Sequence, residues 1–257
     1  MPDLPAPYQP ENPAPDPWAG LKTHTAARIA LGRTGTSVPL REALAFRLAH
    51  AHARDAVYSA LNLDKLLPEL TQFQLPVVQV ASKAHDRPEY LQRPDLGRQL
   101  HPDAGAALRQ PGTSAFDLAI ILADGLSAAA VNEHAVPLLQ RLLPRLRAAG
   151  LQVAPLVVAE QARVAIGDEI GELLRAQLSL ILIGERPGLS SPRSLSAYFT
   201  YAPRPGLTDE ARNCVSNIRP EGLNYDLSAE RLSFLLQEAL RRKLSGVNLK
   251  DDTQLLL

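Results

Sequence analysis

The sequence predicts a three-layer α/β sandwich around a mostly parallel sheet, preceded by an N-terminal helical segment. Three observations predict it. From Phe116 onward, strand-like and helix-like stretches alternate. The strands of that region are apolar on nearly every residue, as strands covered on both faces must be. Before residue 112 there is no such regular alternation, so residues 21–112 form a separate helical segment.

The elements follow in order. Seven prolines fall within the first 18 residues (Pro2, Pro5, Pro7, Pro10, Pro13, Pro15 and Pro17), and proline fixes φ and donates no hydrogen bond. Residues 1–20 therefore read as a disordered, polyproline-like tail. A helix is expected over 40–61. Leu40, Leu44 and Leu48 repeat at four-residue spacing, with Pro39 in the first turn and Thr36 or Ser37 as cap. One strand starts near Leu75, and residues 86–100 read as loop with a helical turn. A buried strand over 117–123 leads into a long helix over 127–149, whose Pro137 is expected to kink it. Further strands are expected at 151–159, 178–188 and 195–203, with a helix between the first two. In the last strand Tyr198 and Tyr201 take opposite faces. A turn spanning residues 205–218 precedes a closing helix striped by Leu227, Leu232, Leu235, Leu236 and Leu240.

At 257 residues and 27.8 kDa, the chain has room for one large domain, or a modest domain with an extension. Its 27 basic and 27 acidic residues cancel, which removes the basic excess a general nucleic-acid binder needs, and 5% aromatics make a base-stacking platform unexpected. The single Cys214 excludes an intrachain disulfide and cysteine-rich metal sites, and fits a reducing compartment. No stretch approaches the ~20 apolar residues that cross a bilayer, and the N-terminus lacks the basic and apolar regions of a secretion signal. A cytoplasmic protein, with no membrane or nucleic-acid partner, is expected.

Ligands of open α/β sheets gather beyond the carboxyl ends of the strands. Three such ends are polar and rigid: Asp124-Gly125-Leu126-Ser127, Gly184-Glu185-Arg186-Pro187-Gly188, and Tyr201-Ala202-Pro203-Arg204-Pro205-Gly206. Glu185 is either a rim charge paired with Arg186 or Arg204, or a carboxylate accepting hydrogen bonds from a large ligand. The phosphate-binding P-loop, the G-x-G-x-x-G dinucleotide fingerprint, the G-x-S-x-G elbow and the H-E-x-x-H zinc motif are all absent. His52 and Asp55 are spaced to align on one helix face, but such pairs commonly decorate surfaces. Cys214 has no neighbouring histidine to activate it. The residues by themselves describe a ligand-binding α/β domain with no catalytic set and no metal site.

Several blocks carry a resemblance. They are ARIALGRTGTSVPLREALAFRLAHAHARDAV (residues 27–57), DRPEYLQRPDLGRQL (residues 86–100), DLAIILADGLSA, ARVAIGDEIGELL, LILIGERPGLSSPRSLSAYFTYAPRPG and RNCVSNIRPEGLNY. Together they resemble the small subunit (light chain) of ethanolamine ammonia-lyase, over about residues 25–249. The resemblance implies an adenosylcobalamin enzyme converting ethanolamine to acetaldehyde and ammonia by radical rearrangement. Ethanolamine would bind in the barrel of a large (heavy) subunit, and the small subunit would pack on it to enclose the cobalamin. It further implies a Rossmann-like domain over 113–257 that holds the cofactor. Val164 of R-V-A-I-G, Glu185 of I-G-E-R-P-G and Cys214 of N-C-V-S-N are the implied cobalamin contacts. The D-x-H-x-x-G signature, which supplies a histidine as lower cobalt ligand, is absent, so the cofactor is expected to keep its own dimethylbenzimidazole. The short polar tail departs from relatives whose longer extensions direct them into a bacterial microcompartment, which weighs against that location. The competing reading is a non-catalytic α/β scaffold that binds a partner protein without cofactor.

Overall fold

The computed structural model describes residues 16–25, 27–109 and 115–250, which divide into two compact units between His52 and Ala53. The expected disordered tail lies outside the described residues as far as residue 15, and Ala19–Thr23 form a 3-10 turn.

In the first unit the Pro39 carbonyl accepts the first helical bonds, from Glu42 and Ala43. The helix α1 (Leu40–Val57) stops four residues short of the expected end, before a second helix, α2 (Leu63–Thr71), capped by the Asn62 side chain. The leucines at four-residue spacing on α1 do not form a buried stripe. Leu40, Leu44 and Leu48 are 74%, 52% and 58% exposed, and Ala56 is the buried residue of this helix.

The second unit is a six-stranded mixed sheet, with seven α-helices counted over all described residues. Its strands are β1 (Val77–Ala81), β2 (Phe116–Ala123), β3 (Leu156–Glu160), β4 (Ala176–Gly184), β5 (Leu195–Tyr201) and β6 (Arg212–Ile218), in spatial order β1-β3-β2-β4-β5-β6. The first four in that order are parallel, whereas β5 runs antiparallel to both its neighbours, β4 and β6. The remaining helices are α3 (Arg87–Gln92), α4 (Ala104–Leu108), α5 (Ala128–Ala148), α6 (Ile166–Leu173) and α7 (Tyr225–Arg242). Helix α5 runs on through both Pro137 and Pro144.

Both sheet faces carry core. Leu118, Ile120 and Leu122 of β2 join Leu178, Leu180 and Leu182 of β4 against α5 and α7. Ala119, Ile121 and Ala123, with Ile181 and Ile183, pack on Ile166 and Ile170 of α6. Two-sided burial explains why these strands read as continuous apolar runs, each large side chain contributing ~1.5–3 kcal/mol. Strand β6 was expected to be a turn. Its apolar residues, Val215 and Ile218, stand three apart because the β5–β6 register shifts between Leu195 and Ala197, so no two-residue period marks it.

Candidate functional site

The α6 side of the sheet changes character toward β5 and β6. Alternation turns Ser196, Tyr198 and Thr200 of β5 to that side, with Arg212 and Cys214 of β6. Helix α6 packs on β4 and β2, whereas α5 and α7 cover β5 on the opposite face. A polar strip is left beside the α6 core.

Glu185 stands at its rim. It follows Gly184, whose missing side chain lets β4 end against the turn after β2. A Cβ there would lie 1.9 Å from the Ser127 carbonyl oxygen, and Leu126 N–H donates to the Gly184 carbonyl at 3.0 Å. The Glu185 amide donates to the Ser194 carbonyl at 2.9 Å, closing the loop. That loop is clipped to α5: Ser127 Oγ donates to the Pro192 carbonyl at 3.0 Å, and buried His134 holds the Arg193 carbonyl at 3.0 Å through Nε2. A carbonyl only accepts, so Nε2 carries the proton and Nδ1 accepts from the Tyr225 hydroxyl at 2.9 Å.

Tyr198 joins two of the three expected residues. Its hydroxyl donates to Glu185 Oε1 at 3.1 Å, and it sits directly opposite Cys214 in the β5–β6 ladder. Burial, then the neighbouring thiol and carboxylate, push the phenol well above the usual tyrosine range, so it remains a donor. Cys214 is surface-exposed at the sheet edge. Desolvation by the surrounding protein nonetheless raises its thiol pKa, and the Glu185 charge adds to the rise. A thiol held protonated is a poor nucleophile. Ser196 Oγ is buried without a hydrogen-bond partner among the described residues.

Val164 comes from the connection between β3 and α6. It is half-buried and packs into the same core as Tyr198. A cavity of about 200 Å³ beside β6 is lined by Cys214, Asn213, Ser216, Arg231 and Leu235 among others, but by neither Glu185 nor Val164. A buried ion pair connects the two sides of the strip: Arg212 of β6 bonds Asp168 of α6, both side chains 3% exposed. Burial raises the Asp168 carboxyl pKa, and Arg212 opposes the rise. His52 and Asp55 are both exposed on α1.

Sequence reasoning missed Tyr198 and the Asp168–Arg212 pair. Only the position of Tyr198, one strand face away from Tyr201, hinted at it; its partnership with Cys214 needed β6 to be recognised as a strand.

Residues 15–250 match the family described as ethanolamine ammonia-lyase light chain. The chain belongs to that family. It is 55% identical over 242 residues to the ethanolamine ammonia-lyase small subunit of Azotobacter vinelandii, covering 93% of this chain and 90% of the relative. The small subunit of Pseudomonas putida strain GB-1 is 54% identical over 248 residues (94% and 90% covered), and that of Pseudomonas aeruginosa strain PAO1 is 53% identical over 250 (96% and 92%). Members of the light-chain family are subunits of a lyase that works as a complex. Among the described residues, no group of three or more His, Cys, Asp or Glu is placed to hold a metal ion, and no helix is long and apolar enough to cross a membrane.

Proposed function

We propose that this chain is the small subunit of an adenosylcobalamin-dependent ethanolamine ammonia-lyase and encloses the cofactor against the large, barrel-bearing subunit. Ethanolamine binds in that partner, in the cytoplasm. The cofactor-holding part is the Rossmann-like α/β region over 113–257. The observation that carries the reading is the meeting of Glu185 and Cys214 on Tyr198, in a polar strip beside the α6 core.

The residues fit a large ligand fringed with amides. Tyr198 occupies one oxygen of Glu185, leaving the other to accept an amide N–H. Val164 offers an apolar contact, and the buried Ser196 hydroxyl is a polar group still short of a partner. When bound, the cofactor supplies radical chemistry, so the chain's own task is to bind, orient and exclude water. The exposed leucines of α1 suit a chain completed by another subunit.

The test is reconstitution with a large subunit. Ethanolamine-dependent ammonia release and a cobalamin absorbance in the purified complex are expected, with Glu185→Ala weakening cofactor retention by ~1–3 kcal/mol. Assembly of a complex that retains no cobalamin would overturn the reading in favour of a scaffold. Unchanged affinity in the Glu185→Ala complex would remove the site.

A further inference from the structure

The segment D-R-P-E-Y-L-Q-R-P-D-L-G-R, residues 86–98, is bonded through Tyr90 and Gly97 to the residues just before Val164. We propose that it is a positioning device that locks the loop carrying Val164 and sets that loop relative to Glu185. The inference rests on the cofactor reading above.

The loop leaves β3 at the carboxyl edge of the sheet, where backbone groups are ordinarily left to water. Here each of the three residues before Val164 is bonded to a fixed partner. Asp124, at the end of β2, accepts from Gln161 N–H at 2.8 Å and from Ala162 N–H at 2.9 Å. The Tyr90 hydroxyl donates to the Ala162 carbonyl at 3.1 Å. Arg163 N–H donates to the Gly97 carbonyl at 2.7 Å, and its guanidinium donates to the Tyr90 carbonyl at 3.1 Å. Gln161 is held at φ +53°, a left-handed conformation that a non-glycine residue keeps only when its surroundings impose it.

The segment is itself anchored. Asp86 caps α3, and Arg87 reaches Asp124 at 3.3 Å and the Val57 carbonyl at 2.7 Å. The fully buried Tyr90 ring carries both guanidiniums, Arg87 at 4.7 Å and Arg163 at 4.3 Å. Gly97 must stay bare, since a Cβ would come within 2.9 Å of both Arg163 Cγ and the Tyr90 ring.

Asp124 also serves the other contact. Its own side chain accepts from Gly125 N–H at 2.9 Å, and Gly125 lies against Gly184, one residue before Glu185. One carboxylate thus holds both the Val164 loop and the turn that seats Glu185. The arrangement is costly as plain packing: among the described residues, Arg87 Nη2, Gln161 Oε1 and Arg163 Nε are buried without partners. A phenylalanine with apolar neighbours would fill the same space without orphaned polar atoms. Directed bonds to 161–163 are what the present residues add.

The experiment uses the complex with the large subunit, and variants Tyr90→Phe and Gly97→Ala, with Val131→Ala on the opposite sheet face as a control for simple loss of stability. Tyr90→Phe keeps the test open should Gly97→Ala fail to assemble. Hydrogen exchange without cofactor is expected to quicken at residues 161–165 in Tyr90→Phe and not in the control. The adenosylcobalamin dissociation constant is expected to rise about three- to tenfold, with kcat at saturating cofactor unchanged. Exchange that stays at the wild-type rate, or that quickens evenly as in the control, overturns the proposal. Faster exchange at 161–165 with unchanged cofactor affinity also overturns it, provided Glu185→Ala weakens binding. If Glu185→Ala too leaves affinity unchanged, the cofactor reading is what fails, and the positioning proposal falls with it.

Discussion

Tyr198 decides what Glu185 can offer. Its hydroxyl takes one carboxylate oxygen and fixes the plane of the other, while its ring packs with Val164 into the α6-side core. Tyr198→Phe keeps the ring and removes the donor. It is expected to raise the cobalamin dissociation constant of the complex several-fold, ~1 kcal/mol for one hydrogen bond, with little change in melting temperature; equilibrium dialysis checks the first and calorimetry the second. A large fall in melting temperature with unchanged affinity would assign the hydroxyl to folding alone. At this scale Glu185 was legible as a polar residue ending an apolar strand, and Val164 and Cys214 only through family motifs. Tyr198 was not legible as a partner, because its contacts depend on a neighbouring strand's register.

Among the elements, α6 and β6 depend on each other through Asp168 and Arg212. Removing one member of a buried pair strands the other charge, so Arg212→Ala is expected to lower the stability of the chain by ~3–5 kcal/mol. Replacing both by leucine is expected to recover most of that loss. Urea unfolding with an unchanged m-value would measure both, and equal losses in the single and double variants would show that the charge pairing itself contributes nothing. The strands β2 and β4 were readable since two-sided burial writes an unbroken apolar run. Strand β6 was not, because its bulge spaces Val215 and Ile218 against the two-residue period. On helix α1 the leucine spacing marked an apolar face, and its exposure could not be read from the spacing.

Across the whole molecule, global stability carries the mark of one carboxyl. Burial raises the Asp124 pKa from an ordinary 3.8 to about 6, despite hydrogen bonds from Ala162, Gln161 and Gly125 and the charge of Arg87. The folded chain therefore holds this proton more tightly than the unfolded one. Its contribution is full below about pH 4 and is lost as pH rises toward 6, a change of ~3 kcal/mol for a shift of about two units. Stability of the wild type relative to Asp124→Asn is expected to fall between pH 4 and 6 and level off above, by denaturant titration at each pH. A relative stability that rises over that window would mean that the bonds to 124 outweigh its desolvation.

The sequence alone determined the family, the apolar strands that build the sheet, and the strand end on which Glu185 stands. These are written locally: motifs are contiguous, and burial sets a periodicity within one element. Only the tertiary structure decided that β5 and β6 turn the sheet mixed, that Tyr198 gathers Glu185 and Cys214, and that residues 86–98 brace the loop before Val164. Those facts reside in bonds between residues as many as 73 positions apart, such as Arg163 to Tyr90. Directed bonds over such separations leave no period along the chain from which they could be read.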